Sequence, residues 1–232
     1  MSESQFDRIG GNYYEVRGGH VHRYYTEQKV KVLKEFVVDR DECLDVGCGV
    51  GLHANLLMEL TGCRVMGLDY SQTMATSANK NLGQGFAVTA SATDIPFKDG
   101  AFDVSYTINV THHLINPEAV EKALVEMARV SRSKVFVFEF NPLNPFCKYI
   151  LFHICPYDTG VERIPSRKEM VAVAKKAGLT IREIRHMSYM PILCPRFLIQ
   201  PISKIEPVLE KLFPWFTVGI VYILEKQASD SR

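Results

Sequence analysis

The sequence contains no run of about 18 apolar side chains, so it offers no membrane-spanning helix. Its formal net charge is only +1, which removes any global electrostatic argument for a nucleic-acid partner. None of its six cysteines is spaced as C-x-x-C or as a zinc-binding set, so no structural metal is expected. No internal repeat or low-complexity tract breaks the pattern, and the only formal glycosylation sequon is Asn109-Val110-Thr111. The start, Met-Ser-Glu-Ser-Gln, is polar and does not read as a signal peptide. With free cysteines this points to a reducing, cytoplasmic setting, where the sequon has no meaning.

What remains is ordinary globular material, 47% hydrophobic and 23% charged, and long enough to bury one large core. Charge is unevenly placed. Residues 35–126 hold 13 acidic side chains against 5 basic ones, whereas residues 162–204 hold 9 basic against 3 acidic. An acidic first half suits a cationic ligand and a basic second half suits an anionic substrate or surface. Two solvated faces would give the same counts.

The most informative stretch is Leu44-Asp45-Val46-Gly47-Cys48-Gly49-Val50-Gly51, followed by Gly67-Leu68-Asp69. A short apolar strand runs into three alternating glycines, and a second strand ends on an acid. Glycine lets the backbone turn sharply and approach a ligand closely, and a carboxylate at the next strand end can accept ribose hydroxyls. Dinucleotide-binding proteins space their glycines as G-x-G-x-x-G to seat a pyrophosphate. Here the spacing is G-x-G-x-G, which leaves an NAD-dependent oxidoreductase as the disfavoured alternative.

Four segments in order then resemble the class I S-adenosylmethionine-dependent methyltransferases, in their type 11 group. They are the glycine loop, Asp69-Tyr70-Ser71-Gln72-Thr73-Met74, Ala92-Thr93-Asp94-Ile95-Pro96-Phe97 with Phe102-Asp103, and Thr111-His112-His113-Leu114. The resemblance implies S-adenosyl-L-methionine as cofactor and S-adenosyl-L-homocysteine as product. It also implies a cofactor site from Asp45, Gly47, Cys48, Gly49, Gly51, Asp69, Tyr70, Met74, Asp94, Ile95 and Asn109, with Tyr14 covering the methionine end. In this reading Asp69 meets the ribose, Met74 and Ile95 wall the adenine, and Asp94 accepts from its amine. Asp45 either orients the glycine loop or binds the amino group.

The expected fold is α/β and doubly wound: seven strands, mostly parallel, with the last antiparallel. Strands are expected at Cys43–Val46, Arg64–Leu68, Phe86–Thr89, Phe102–Ile108, Lys134–Phe140, Thr180–His186 and Val218–Leu224, with helices between them. Residues 1–36 read as a lid segment and a helix from about Thr26 to Phe36. Residues 37–232 read as the methyltransferase domain, with insertions at 141–165 and 187–217 on the substrate side. Asn116-Pro117-Glu118 starts a helix, and Ser166-Arg167-Lys168-Glu169 is a capping box for a helix stopping at Gly178.

Methyl transfer needs alignment, dehydration and, for some acceptors, proton removal. Neutral imidazoles suit the last task, so His112 and His113 after the fourth strand, and His20 in the lid, are the candidate catalytic residues. If one of the first two is only structural, His113 is the choice. His20 and His22 form an H-x-H pair, too few ligands for a metal site. Asn141 either reaches a substrate or caps a turn with Pro142.

The acceptor is a small molecule, with lipid- or sugar-linked compounds among those to be screened, and the accepting atom (O, N or C) is open. The 187–217 segment joins apolar side chains to Arg196 and Lys204, and reads either as a flap packed on the domain or as a surface resting on the inner face of a membrane. A S-adenosylmethionine-binding regulator or scaffold without transferase activity is the other alternative. Neither a base-methylating motif nor an aromatic-laced basic stripe supports a nucleic-acid acceptor.

Overall fold

A computed structural model describes residues 19–83, 85–147, 149, 162–191 and 194–227. Helix α1 covers Gly19–Lys34. Strand β1 (Glu42–Val46), helix α2 (Leu52–Thr61), strand β2 (Arg64–Asp69), helix α3 (Gln72–Asn81) and strand β3 (Phe86–Thr89) follow. Strand β4 (Phe102–Ile108) leads through a 3-10 turn, Thr111–His113, to helix α4 (Pro117–Val130) and strand β5 (Ser131–Phe140). Helix α5 (Arg167–Lys176), strand β6 (Leu179–Met187), helix α6 (Arg196–Leu212), a 3-10 turn at Pro214–Phe216 and strand β7 (Gly219–Lys226) complete it.

The seven strands form one sheet in the order β3-β2-β1-β4-β5-β7-β6. All neighbours are parallel except β7, which lies antiparallel between β5 and β6. This is the expected doubly wound fold. Side chains alternate between two cores, as strand geometry requires. Phe136, Phe138, Val221 and Ile223 pack with α1 and α2 on one face. Val135, Val137, Ile220 and Tyr222 pack with α4 and α5 on the other.

Strand positions match expectation and strand ends differ. Strand β5 starts at Ser131 rather than Lys134, because its first residues are polar while their backbone still pairs with β4. Ser71 caps α3, accepting from the Met74 N–H at 3.2 Å. Pro117 occupies the first turn of α4 as foreseen. The capping box at Ser166 is half formed. Ser166 Oγ accepts the Glu169 N–H, but the Glu169 carboxylate turns to the Arg163 guanidinium, 2.5 and 2.7 Å away. A forked, charge-assisted pair outcompetes one backbone N–H.

Two regions depart further from expectation. Helix α1 begins at Gly19, seven residues before Thr26, so His20, His22, Tyr24 and Tyr25 lie on a helix rather than in a loop. The apolar insertion at 187–217 contains a 17-residue helix, α6, despite Pro201 and Pro207 inside it. Among the described residues no helix is long and apolar enough to cross a membrane.

Candidate functional site

The glycine loop sits at the carboxyl ends of β1 and β2, where parallel sheets open a crevice. Gly47, Gly49 and Gly51 have φ of 77°, 55° and 82°, a region that L side chains rarely adopt. Their surroundings differ. A Cβ on Gly47 would lie 2.3 Å from the Val110 side chain, whereas one on Gly49 would meet no protein atom within 4 Å. Gly47 is therefore demanded by packing and Gly49 faces open space.

Asp69 closes the loop from the next strand. Its Oδ2 accepts the Gly49 N–H at 2.8 Å and its Oδ1 accepts the Ser71 N–H at 2.9 Å. A carboxylate can accept about four bonds, so this orientation is compatible with ribose hydroxyls as further donors. The Asn81 amide, at the end of α3, donates to the Val50 carbonyl at 2.9 Å and pins the loop from behind. Cys48 is buried, its N–H bonded to the Leu68 carbonyl at 3.0 Å, and burial pushes its thiol pKa up.

The other expected cofactor residues are distributed as follows. Tyr70 and Asp94 are exposed, and Met74 and Ile95 are buried by protein. The Ile95 N–H already donates to Glu126 of α4 at 2.9 Å, so that backbone group has an internal partner. Asn109 follows β4 with φ of 55°, a left-handed turn that Asn tolerates. Asp45 lies on the buried face of β1 toward Tyr106. Burial pushes its carboxyl up to about 8, against the pull of the Tyr106 hydroxyl and aided by the charge of Asp69. Tyr14 lies outside the described residues.

The second half of the site joins the expected His112 to an acid that was not foreseen. Glu139, next to last in β5, is buried and gathers the turn after β4 around itself. Its Oε2 accepts the Thr111 hydroxyl at 2.6 Å and the His112 N–H at 3.0 Å. Its Oε1 accepts the Phe140 N–H at 2.7 Å and lies 2.8 Å from His112 Nδ1. Burial alone would raise its pKa. The charge and hydrogen bonds of His112, Thr111 and Phe140 outweigh burial and hold it at about 2. An ionised carboxylate only accepts, so Nδ1 of His112 carries a proton toward Glu139, and it is the neutral form of the ring that has its lone pair on Nε2. The one hint in the sequence was an acid inside the apolar run Phe136-Val137-Phe138-Glu139-Phe140.

The His113 ring lies 4.0 Å from the His112 ring, with Nδ1 4.0 Å from buried Glu162. His20 instead bonds through Nε2 to the Cys194 carbonyl at 2.8 Å, tying α1 to the segment before α6. Asn141 holds a turn: its Oδ1 accepts the Leu143 N–H, and its amide donates to the Pro214 carbonyl and Thr217 Oγ1.

The sheet order, the positive-φ glycine loop and the strand-end acid define a class I S-adenosylmethionine-dependent methyltransferase fold. Residues 44–138 match the family model described as a methyltransferase domain. Sterol 24-C-methyltransferase of Eremothecium gossypii is 32% identical over 138 residues, 51% of this chain and 37% of that protein. Ubiquinone biosynthesis O-methyltransferase of Pseudoalteromonas translucida is 27% identical, covering 65% of this chain and 68% of that one. The chain spans between 37% and 58% of the sterol methyltransferases it matches. In fold it resembles a S-adenosylmethionine-dependent methyltransferase of Thermotoga maritima described as a possible histamine N-methyltransferase. That likeness has a TM-score of 0.72 at 20% identity, over 97% of this chain and 99% of that one.

Proposed function

We propose that this chain transfers a methyl group from S-adenosylmethionine to an oxygen of an apolar, ring-bearing small molecule, with His112 as the proton acceptor. The observation that carries the reading is the buried Glu139–His112 pair, at the carboxyl ends of β5 and β4 on the same sheet edge as the glycine loop. When bound, the cofactor supplies an electrophilic methyl on a sulfonium leaving group. The residues that would hold it are the glycine loop, Asp69 and the segment 92–95.

The chain's own contribution is orientation and proton removal. Glu139 fixes the His112 ring and its tautomer, as the acid of a catalytic triad does. His112 Nε2 then takes the acceptor's hydroxyl proton while the oxygen bonds to the methyl carbon and the carbon–sulfur bond breaks. Proton transfer of this kind typically contributes on the order of a hundredfold to ten-thousandfold. Sterol and ubiquinone-pathway relatives support an apolar acceptor.

Isothermal titration with S-adenosylmethionine and S-adenosylhomocysteine, repeated on Asp69→Ala and with NAD as control, tests the cofactor half. Micromolar binding lost in Asp69→Ala is expected. Binding of NAD alone would overturn it. A screen of phenols, sterols and prenylated alcohols for methyl transfer, with His112→Gln and His112→Ala beside wild type, tests the rest. Transfer to an oxygen that survives both substitutions would remove the proposed base.

A further inference from the structure

Helix α6 half-buries Ile199 and Ile202 against the cluster around Val21 and Tyr24, but its one fully buried side chain is polar. Its buried residue is a carboxylate, Glu206, which receives the Tyr24 hydroxyl, the Ser188 hydroxyl at 3.0 Å and the Tyr189 N–H at 2.7 Å. Its other acid, Glu210, also turns inward to the Ser188 N–H at 2.8 Å. Outward it presents Phe197, Ile205, Val208 and Leu212, between 52% and 77% exposed. At 100° per residue these four share one stripe about 80° wide. The turn after the helix extends the stripe with exposed Phe213, Trp215 and Phe216.

A second loop is pinned beside it. Asn141 and Asn144, just after β5, donate to the Pro214, Phe216 and Thr217 carbonyls at 2.8–3.1 Å. Their loop carries Leu143 and Phe146, 56% and 63% exposed. The joined surface thus reaches the end of β5, where the Phe140 ring lies 5.2 Å from the ring of His112. An unpaired apolar face of this extent is expensive in water and marks a contact surface.

The charges choose the occupant. Lys204 and Lys211, seven residues apart, lie on the same edge of the stripe, and Arg196 stands at its start, all exposed. Both acids of the helix face the protein, so the outward side carries cations and no anion. Two copies of this face would oppose like charges. An anionic lipid surface would accept the apolar stripe among its acyl chains and the lysines at its headgroups, with Trp at the boundary.

We propose that α6, the Pro214–Phe216 turn and the loop at 141–146 dock this chain on an anionic bilayer. Docking this way brings the His112 side of the sheet edge against the membrane, so the acceptor of the proposed reaction, on which only this last step rests, would be drawn from the lipid phase.

The test is flotation of the full chain with vesicles of phosphatidylcholine alone or mixed with phosphatidylglycerol. Trp215, the sole tryptophan, reports its own environment by emission. Flotation with the mixed vesicles and a blue-shifted Trp215 are expected. Lys204→Ser with Lys211→Ser should weaken binding to the mixed vesicles about thirtyfold. Ile205→Ser with Val208→Ser should abolish it, while S-adenosylmethionine affinity stays unchanged in every variant. No flotation with either lipid overturns the proposal. So does a dimer, seen by sedimentation, that Val208→Asp dissociates. Loss of cofactor binding in wild type would instead count against the methyltransferase reading, with flotation still judged by itself.

Discussion

Two carboxylates lie buried in the same sheet, on strands two positions apart in its order, and their chemistry runs in opposite directions. Asp45 on β1 is pushed up to about 8, and Glu139 on β5 is held at about 2. Both are almost wholly inaccessible. Burial therefore does not decide ionisation; the donors do. Glu139 has two backbone N–H groups, a hydroxyl and an imidazole, whereas Asp45 has an Oδ2 without a hydrogen-bond partner and a repelling neighbour in Asp69. The first environment builds a fixed charge and the second favours the neutral carboxyl.

The strongest way to break this contrast is Glu139→Gln. It leaves His112 without its anchor, so turnover should fall at least a hundredfold and stability by about 3 kcal/mol, measured by initial rates and urea unfolding. An unchanged rate would leave His112 without a catalytic role. The lowered pKa adds a pH signature. Glu139 stabilises the fold above its unfolded value of about 4.3, and this contribution is lost as pH falls toward about 2. Glu139→Gln should therefore flatten the acid limb of a stability profile.

Asp45→Asn should act oppositely. A raised carboxyl favours the fold at low pH and costs stability as pH rises from about 4 to about 8. The variant should match wild type near pH 4 and gain on it by at most about 1.4 kcal/mol per pH unit above that. A parallel pair of profiles would show that Asp45 is not perturbed. A smaller effect is expected of Thr111→Val, which removes one hydrogen bond to a charged group and should cost about 2 kcal/mol. Smallest in stability is Gly49→Ala, about 1 kcal/mol for a left-handed alanine, yet its Cβ enters the open space of the loop. Titration should show cofactor affinity falling far more than stability, while Gly47→Ala, facing Val110, should lose both.

The environment of the glycine loop was readable from sequence and that of Glu139 only in part. Glycine spacing, a strand-end acid and a cap at Ser71 are local signals, carried within a few residues of each other. Glu139 and His112 are 27 residues apart and meet through β4–β5 pairing, which no periodicity encodes. Helix α1 was read short because Gly18-Gly19 suggests a loop, while tertiary contacts at Val21 and Tyr24 carry the helix to Gly19. Helix α6 was missed because two prolines argue against a helix, and because apolar residues lie on both its inner and outer faces and blur the one-sided pattern by which helices are found.

Glu206 has one more consequence. It is the buried member of α6, and through it the helix hangs on α1 and the segment after β6. Both cores of the sheet are closed by other elements. The outer helix is thus held by anchors of its own, Glu206 and the His20 contact to Cys194, and not by either core of the sheet. Grafting residues 188–217 from another relative would move the choice of surface and acceptor while the cofactor pocket stays as it is.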